Sequence, residues 1–200
     1  MEVLKGLFGR RRKPIIVVSG LPRSGTSMMM RMLDMGGVPV LTDEIRAPDL
    51  DNPKGYYEFE RVKKLPQGDI AWLADAQGKA VKIIGALLRH LPAAYTYKIL
   101  FMRRAMVEVL ASQRQMLIRR GEDPDGIDDE AMAELFDKHV AQVVAWMEQQ
   151  PNVSYLDVDY NAVLTDPAPA VRAIQGFLDR PLDLEAMAAA VDPRLHRQRA

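Results

Sequence analysis

The chain has no cysteine, only three histidines, and aromatic residues at 6%. No disulfide, thiolate nucleophile or cysteine-ligated zinc or iron–sulfur site can therefore be built from it. It also lacks a net charge: 27 Lys and Arg balance 27 Asp and Glu. No global field draws it to nucleic acid, and no nucleic-acid partner is expected. No apolar run approaches the roughly 18–20 residues of a membrane-spanning helix. What is present is ordinary for a folded domain, with 48% hydrophobic and 27% charged residues in a chain of 200.

The charge is neutral in sum but uneven along the chain. Lys5, Arg10, Arg11, Arg12 and Lys13 form a basic N-terminal extension over residues 1–13. Its apolar residues precede the charges, a poor secretory signal, and weak peripheral contact with anionic lipid is one use for it. Arg103, Arg104, Arg114, Arg119 and Arg120 cluster within residues 103–120, followed by an acidic stretch over 121–134. Such a local basic strip in a neutral protein suggests an anion site, although a solvated helix face gives the same pattern.

Alternating patterns of strand and helix run through the chain. Ile15 to Val18 is a β-branched run closed by Ser19-Gly20, as expected of a strand buried on both faces. Thr26 to Met35 reads as a helix stopped by Gly36-Gly37. Further strands are expected at 38–41, 80–84, 97–102 and 153–158, and short helices at 56–65 and 69–76. Longer helices are expected at 105–120, from Asp128 to about Gln150, and from Pro167 to Leu178. The pattern predicts an α/β three-layer sandwich with a mostly parallel central sheet. Ligands of such folds sit at the carboxyl ends of strands. Residues 14–182 read as one domain, with a C-terminal helix and basic tail over 183–200.

The segment Gly20-Leu21-Pro22-Arg23-Ser24-Gly25-Thr26-Ser27 has phosphate-loop spacing, with Thr26 where Lys normally stands. Main-chain amides at a helix N-terminus still favour an anion. Thr26 and Ser27 add hydroxyls, and Arg23 adds a permanently charged fork. The missing Lys and the lack of a convincing acidic metal-holding strand end argue against triphosphate hydrolysis. Asp157 and Asp159 come too late in the chain for that role. A second pattern is Phe101-Met102-Arg103-Arg104, with Ser112 eight residues after Arg104. An arginine at a strand end and a hydroxyl two turns along the next helix can meet on a second phosphate. Read alone, the stripe Glu108, Ser112, Gln115 and Arg119 would pass for a solvated face.

Together these motifs resemble the sulfotransferase family, on the phosphate-loop superfamily fold. Leu21 to Ser27 is similar to that family's 5′-phosphosulfate loop. Arg104 and Ser112 match the spacing of its 3′-phosphate site, and the stretch from Leu156 to Leu178 is similar to its late strand and following helix. The resemblance implies a donor, 3′-phosphoadenosine 5′-phosphosulfate (PAPS), with 3′,5′-adenosine bisphosphate as product and no obligatory metal. It implies donor-binding roles for Pro22, Arg23, Ser24, Gly25, Thr26, Ser27, Arg104 and Ser112. Two departures stand out. Ala105-Met106 replaces the Asn/Asp-Pro that usually follows the 3′-phosphate arginine, and the glycine-rich basic C-terminal segment of longer members is missing.

The resemblance also suggests a proton acceptor. In the branch that includes tyrosylprotein sulfotransferases, a Glu follows the first helix, with Arg two residues later. Glu44 and Arg46 stand at that offset from Arg23, so Glu44 is the expected general base, contributing roughly 10²–10⁴ in rate. His90 is the alternative. Lys54, Tyr56 and Tyr57 are further residues that could reach sulfate or acceptor. His139, at the edge of an apolar helical stripe, reads as structural. The expected protein is a cytoplasmic bacterial transferase of a small-molecule or peptide hydroxyl or amine, with a homodimer one way to complete its acceptor pocket. A non-catalytic nucleotide-binding member and a small-molecule kinase are the competing readings.

Overall fold

The structure is a computed structural model that describes residues 13–43, 55–123, 126, 128–192 and 194. Among the described residues, four strands form its sheet: β1 (Ile15–Gly20), β2 (Ala80–Lys82), β3 (Tyr97–Arg103) and β4 (Val153–Asp159). All pairings are parallel, in the order β2-β1-β3-β4. Every residue of β1 is buried. Its side chains alternate between two cores, as the two-residue period of a strand requires. Ile16 and Val18 enter one core, Ile15 and Val17 the other. β3 repeats this, with Leu100 and Met102 on one side and Ile99 and Phe101 on the other.

Among the described residues, six helices and three 3-10 turns complete the three layers. On one face lie α1 (Thr26–Met35), α4 (Tyr160–Thr165), α5 (Pro167–Leu178) and α6 (Leu184–Ala189). α2 (Met106–Arg120) follows β3. The opposite face is covered by α3 (Asp129–Gln149) and the 3-10 turns Glu60–Gln67, Ala71–Ala74 and Gly85–His90. α6 packs Met187 against Gly36 at the end of α1, so the chain beyond residue 182 contributes to the same core. The expected strand at 38–41 reduces to one bridge between Val40 and Ala80, and the short helices at 56–65 and 69–76 are 3-10 turns.

The topology puts the first motif beside the second. From β1 the chain moves outward to β2, then returns across β1 to β3. The order therefore reverses between β1 and β3, the position where open parallel sheets leave a crevice at their carboxyl ends. Gly20 pairs with Met102 there, so the loop after β1 and the Arg103-Arg104 pair leave the sheet side by side.

Candidate functional site

The loop from Gly20 to Ser27 is tightly constrained. Gly20 has φ +146°, and a Cβ on it would stand 2.6 Å from Ser24 Oγ and 2.8 Å from the Met102 carbonyl. Gly25 has φ +95°, and a Cβ there would fall 2.3 Å from the Tyr160 ring. Both positions accept only glycine, for conformation and for space. Arg23 adopts a left-handed φ of +69° between them. Ser24 is buried and turned inward, its Oγ donating to the Leu21 carbonyl at 2.7 Å. Gly25 caps α1 and no side chain bonds to the first amides, which leaves them for an external acceptor.

Arg23 links this loop to the second motif. Its Nε donates to Ser112 Oγ at 2.9 Å, and its carbonyl accepts from Arg104 Nη1 at 2.8 Å. Arg104 also donates Nε to Glu108 Oε2 at 2.8 Å, and its guanidinium lies 4.6 Å from the centre of the Tyr160 ring. Glu108 in turn accepts from Asn161 Nδ2 at 2.8 Å, and the Asn161 side-chain Oδ1 accepts weakly from the Ala105 amide at 3.4 Å. This last contact serves the start of α2 where the family pattern would have Asn/Asp-Pro. The Arg104 and Glu108 side chains are 7% and 4% exposed, so the pair holds its charges largely out of water. Ser112 is buried as well. The stripe from Glu108 to Arg119 is thus buried at its start rather than solvated throughout.

The same cluster raises the Tyr160 pKa above its ordinary value, chiefly by burial. Arg104 and Arg23 oppose the rise by favouring the phenolate, while Glu108 adds to it. These influences place both arginines and the glutamate around one ring.

A further cation borders the loop. Lys82, at the carboxyl end of β2, donates Nζ to Ser27 Oγ at 3.3 Å and to the Tyr56 carbonyl, and lies 3.9 Å from Glu58. Ser27 Oγ also donates to the Tyr56 carbonyl at 3.3 Å. The sequence reading passed over Lys82. Its signal was a lysine ending an otherwise apolar strand, where a solvated charge would normally be avoided. Tyr57 turns the other way, its hydroxyl donating to Asp34 Oδ2 at 3.0 Å.

Glu44, Arg46 and Lys54 lie outside the described residues. His90 ends the 3-10 turn that begins at Gly85, and Arg89 Nε donates to its Nε2 at 3.3 Å. Two residues on, the Pro92 carbonyl accepts from the Tyr97 hydroxyl at the first residue of β3. That anchors the chain after His90 at the amino edge of the sheet. Asp157 pairs with Arg103 at 2.7 Å, and Asp159 caps α4 through the Ala162 amide. Among the described residues no cluster of three metal-binding side chains occurs, and no helix is long and apolar enough to cross a membrane.

A strand, a constrained glycine loop and a helix at the switch point of an all-parallel sheet define an α/β protein with its candidate site at the carboxyl end of the sheet. The chain belongs to the sulfotransferase family, whose sequence pattern matches residues 44–184. That match begins after the loop, so it is independent of the Gly20–Ser27 motif. None of the curated proteins compared matches the chain. Among solved structures, it is similar to the sulfotransferase domain from the Synechococcus PCC 7002 olefin synthase, with TM-score 0.59, 17% identity, and 94% of this chain covering 87% of that one. The sulfotransferase domain from the curacin biosynthetic pathway gives TM-score 0.53 at 16% identity, over 96% of this chain and 93% of that one. A sulfotransferase from Alicyclobacillus acidocaldarius gives TM-score 0.51 at 17% identity, over 86% and 85%. At these identities the likeness is one of fold.

Proposed function

We propose that this chain transfers a sulfuryl group from PAPS to a hydroxyl or amine acceptor. The observation that carries the reading is the double engagement of Arg23, by Ser112 through its side chain and by Arg104 through its carbonyl. Two anion-suited positions, the uncapped start of α1 and the Arg104–Ser112 pair, thereby stand one strand apart. A nucleotide with phosphates at its 5′ and 3′ positions fits that spacing better than a triphosphate, which needs the lysine that Thr26 replaces.

The residues fit the donor in charge as well as position. The loop amides and the hydroxyls of Thr26 and Ser27 would hold the 5′-phosphosulfate. Arg104, braced by Glu108 and Tyr160, and Ser112 would hold the 3′-phosphate. Arg23 and Lys82 flank the place where negative charge grows on the departing phosphate, and fixed cations in a partly dry site stabilise that change most. A cytoplasmic location and a small-molecule or peptide acceptor belong to the same proposal.

Thermal stabilisation tests the donor. At a hundredfold excess over the dissociation constant, 3′,5′-adenosine bisphosphate should stabilise the protein by about 2.7 kcal/mol. ATP with magnesium should do less, and Arg104→Ala should erase most of the difference. Equal stabilisation by ATP, unaffected by that substitution, would remove the 3′-phosphate assignment. Tight bisphosphate binding without turnover on a library of alcohols, phenols and amines would instead support a non-catalytic nucleotide-binding member.

A further inference from the structure

α3 crosses the sheet on the face opposite α1. Leu135, His139, Val143 and Met147 recur along it every four residues, which puts them on one side of the helix. Their burial changes steadily: Met147 is 1% exposed, Val143 7%, His139 half-buried and Leu135 54% exposed. The stripe therefore runs off the carboxyl edge of the sheet, and His139 sits at that edge. Opposite it stands Gly85, the first residue of the turn after β2. A Cβ on Gly85 would be 3.3 Å from His139 Nε2, 3.5 Å from Val143 Cγ2 and 3.6 Å from the Gly20 carbonyl oxygen. The imidazole thus faces the end of β1, where the anion loop begins, across the space of one missing side chain.

We propose that His139 is the proton acceptor for the incoming nucleophile, an inference that rests on the donor reading above. An acceptor hydroxyl beside Nε2 would give its proton to the imidazole as its oxygen bonds to sulfur. The bond from sulfur to the bridging oxygen breaks in the same step, and the electron pair leaves on the phosphate of adenosine bisphosphate. A half-buried imidazole with its Nε2 turned toward the end of β1 has the chemistry and the position to take that proton. Its helical neighbours Leu135, Phe136, Gln142 and Val143 carry no charge, and neither do Gly85 and Ala86 of the facing turn. Arg89 and His90 lie at that turn's other end. On α2, Arg114 is directed to Asp129, the first residue of α3. On the loop side, the 5′-phosphate with Arg23 and Lys82 beside it completes the charges the imidazole would meet.

The test is histidine NMR on the whole protein, titrated with and without 3′,5′-adenosine bisphosphate, with resonances assigned from His90→Gln and His139→Gln. Binding should raise the His139 pKa by about half to one pH unit, the effect expected of a dianion several ångströms away in a watery setting, and leave His90 unmoved. His139→Gln should bind the bisphosphate within twofold of wild type. The same variant should slow sulfate release from the donor to water, the probe nucleophile, by at least tenfold. An unmoved His139 titration with nucleotide bound overturns the inference and leaves the donor reading standing. So does wild-type sulfate release by His139→Gln alongside its collapse in Glu44→Gln. Failure of the bisphosphate to bind at all overturns the donor reading, and this inference with it.

Discussion

At the scale of single residues, the loop depends on what is small or buried. Gly25→Ala must place a methyl group in the Tyr160 ring at a φ of +95°. The backbone strain alone is worth about 1–3 kcal/mol. Urea unfolding should register at least that loss, and Tyr160→Ala in the same chain should return only the part due to the clash. The Arg104–Glu108 pair is a second such point. Glu108→Ala leaves a buried guanidinium without its counter-charge, at a cost of about 3–5 kcal/mol. Adding Arg104→Met should recover much of that stability without restoring bisphosphate binding. If the single variant unfolds at the wild-type midpoint, the pair contributes little to the fold.

At the scale of elements, regular structure followed local signals where those were strong. Asp128 caps α3 through the Glu130 and Ala131 amides, so Asp128→Ala should lower the unfolding free energy by about 1 kcal/mol with no change in nucleotide affinity. Thr26 to Met35, Pro167 to Leu178 and the β-branched run of β1 were readable because burial periodicity and end signals agreed. The segments at 56–65 and 69–76 were harder. Their hydrophobic spacing suits a helix, but Pro66 and Gly68 fall between them and keep each one short, and 3-10 turns are the compact alternative. The Gly20–Ser27 motif, Arg104 and Ser112 were legible as spacings. Lys82 and Asn161 were not, because their partners lie 26 to 55 residues away; Glu108 showed only as part of a helical stripe, since the four-residue spacing from Arg104 does not reveal that the pair is buried.

At the scale of the whole molecule, stability should fall in alkali. Tyr57 is pushed up to about 12, mainly by burial and then by its bond to Asp34, and burial raises Tyr97 and Tyr160 as well. A raised folded-state pKa stabilises the fold fully below the unfolded value of about 10 and loses that contribution as pH climbs through the folded value. Denaturation midpoints should therefore hold steady from neutral pH to about 9 and decline above 10. Tyr160→Phe should decline less steeply, since one resisting phenol is gone. An equal slope for the variant would mean that Tyr160 ionises as freely in the folded chain as in the unfolded one.

The amino-acid order alone determined which segments become strands and helices, where glycine must sit in the loop, and which charges are available to hold an anion. These follow from the backbone and its nearest neighbours, whose geometry repeats every two or 3.6 residues. Only the tertiary structure decided which of those charges meet. The reversal of strand order between β1 and β3 brings Arg23 to Ser112 across 89 positions of sequence, and the passage of α3 over the opposite face brings His139 to Gly85. Such meetings are set by how buried faces stack and by the sheet order that results, and neither leaves a local mark in the chain.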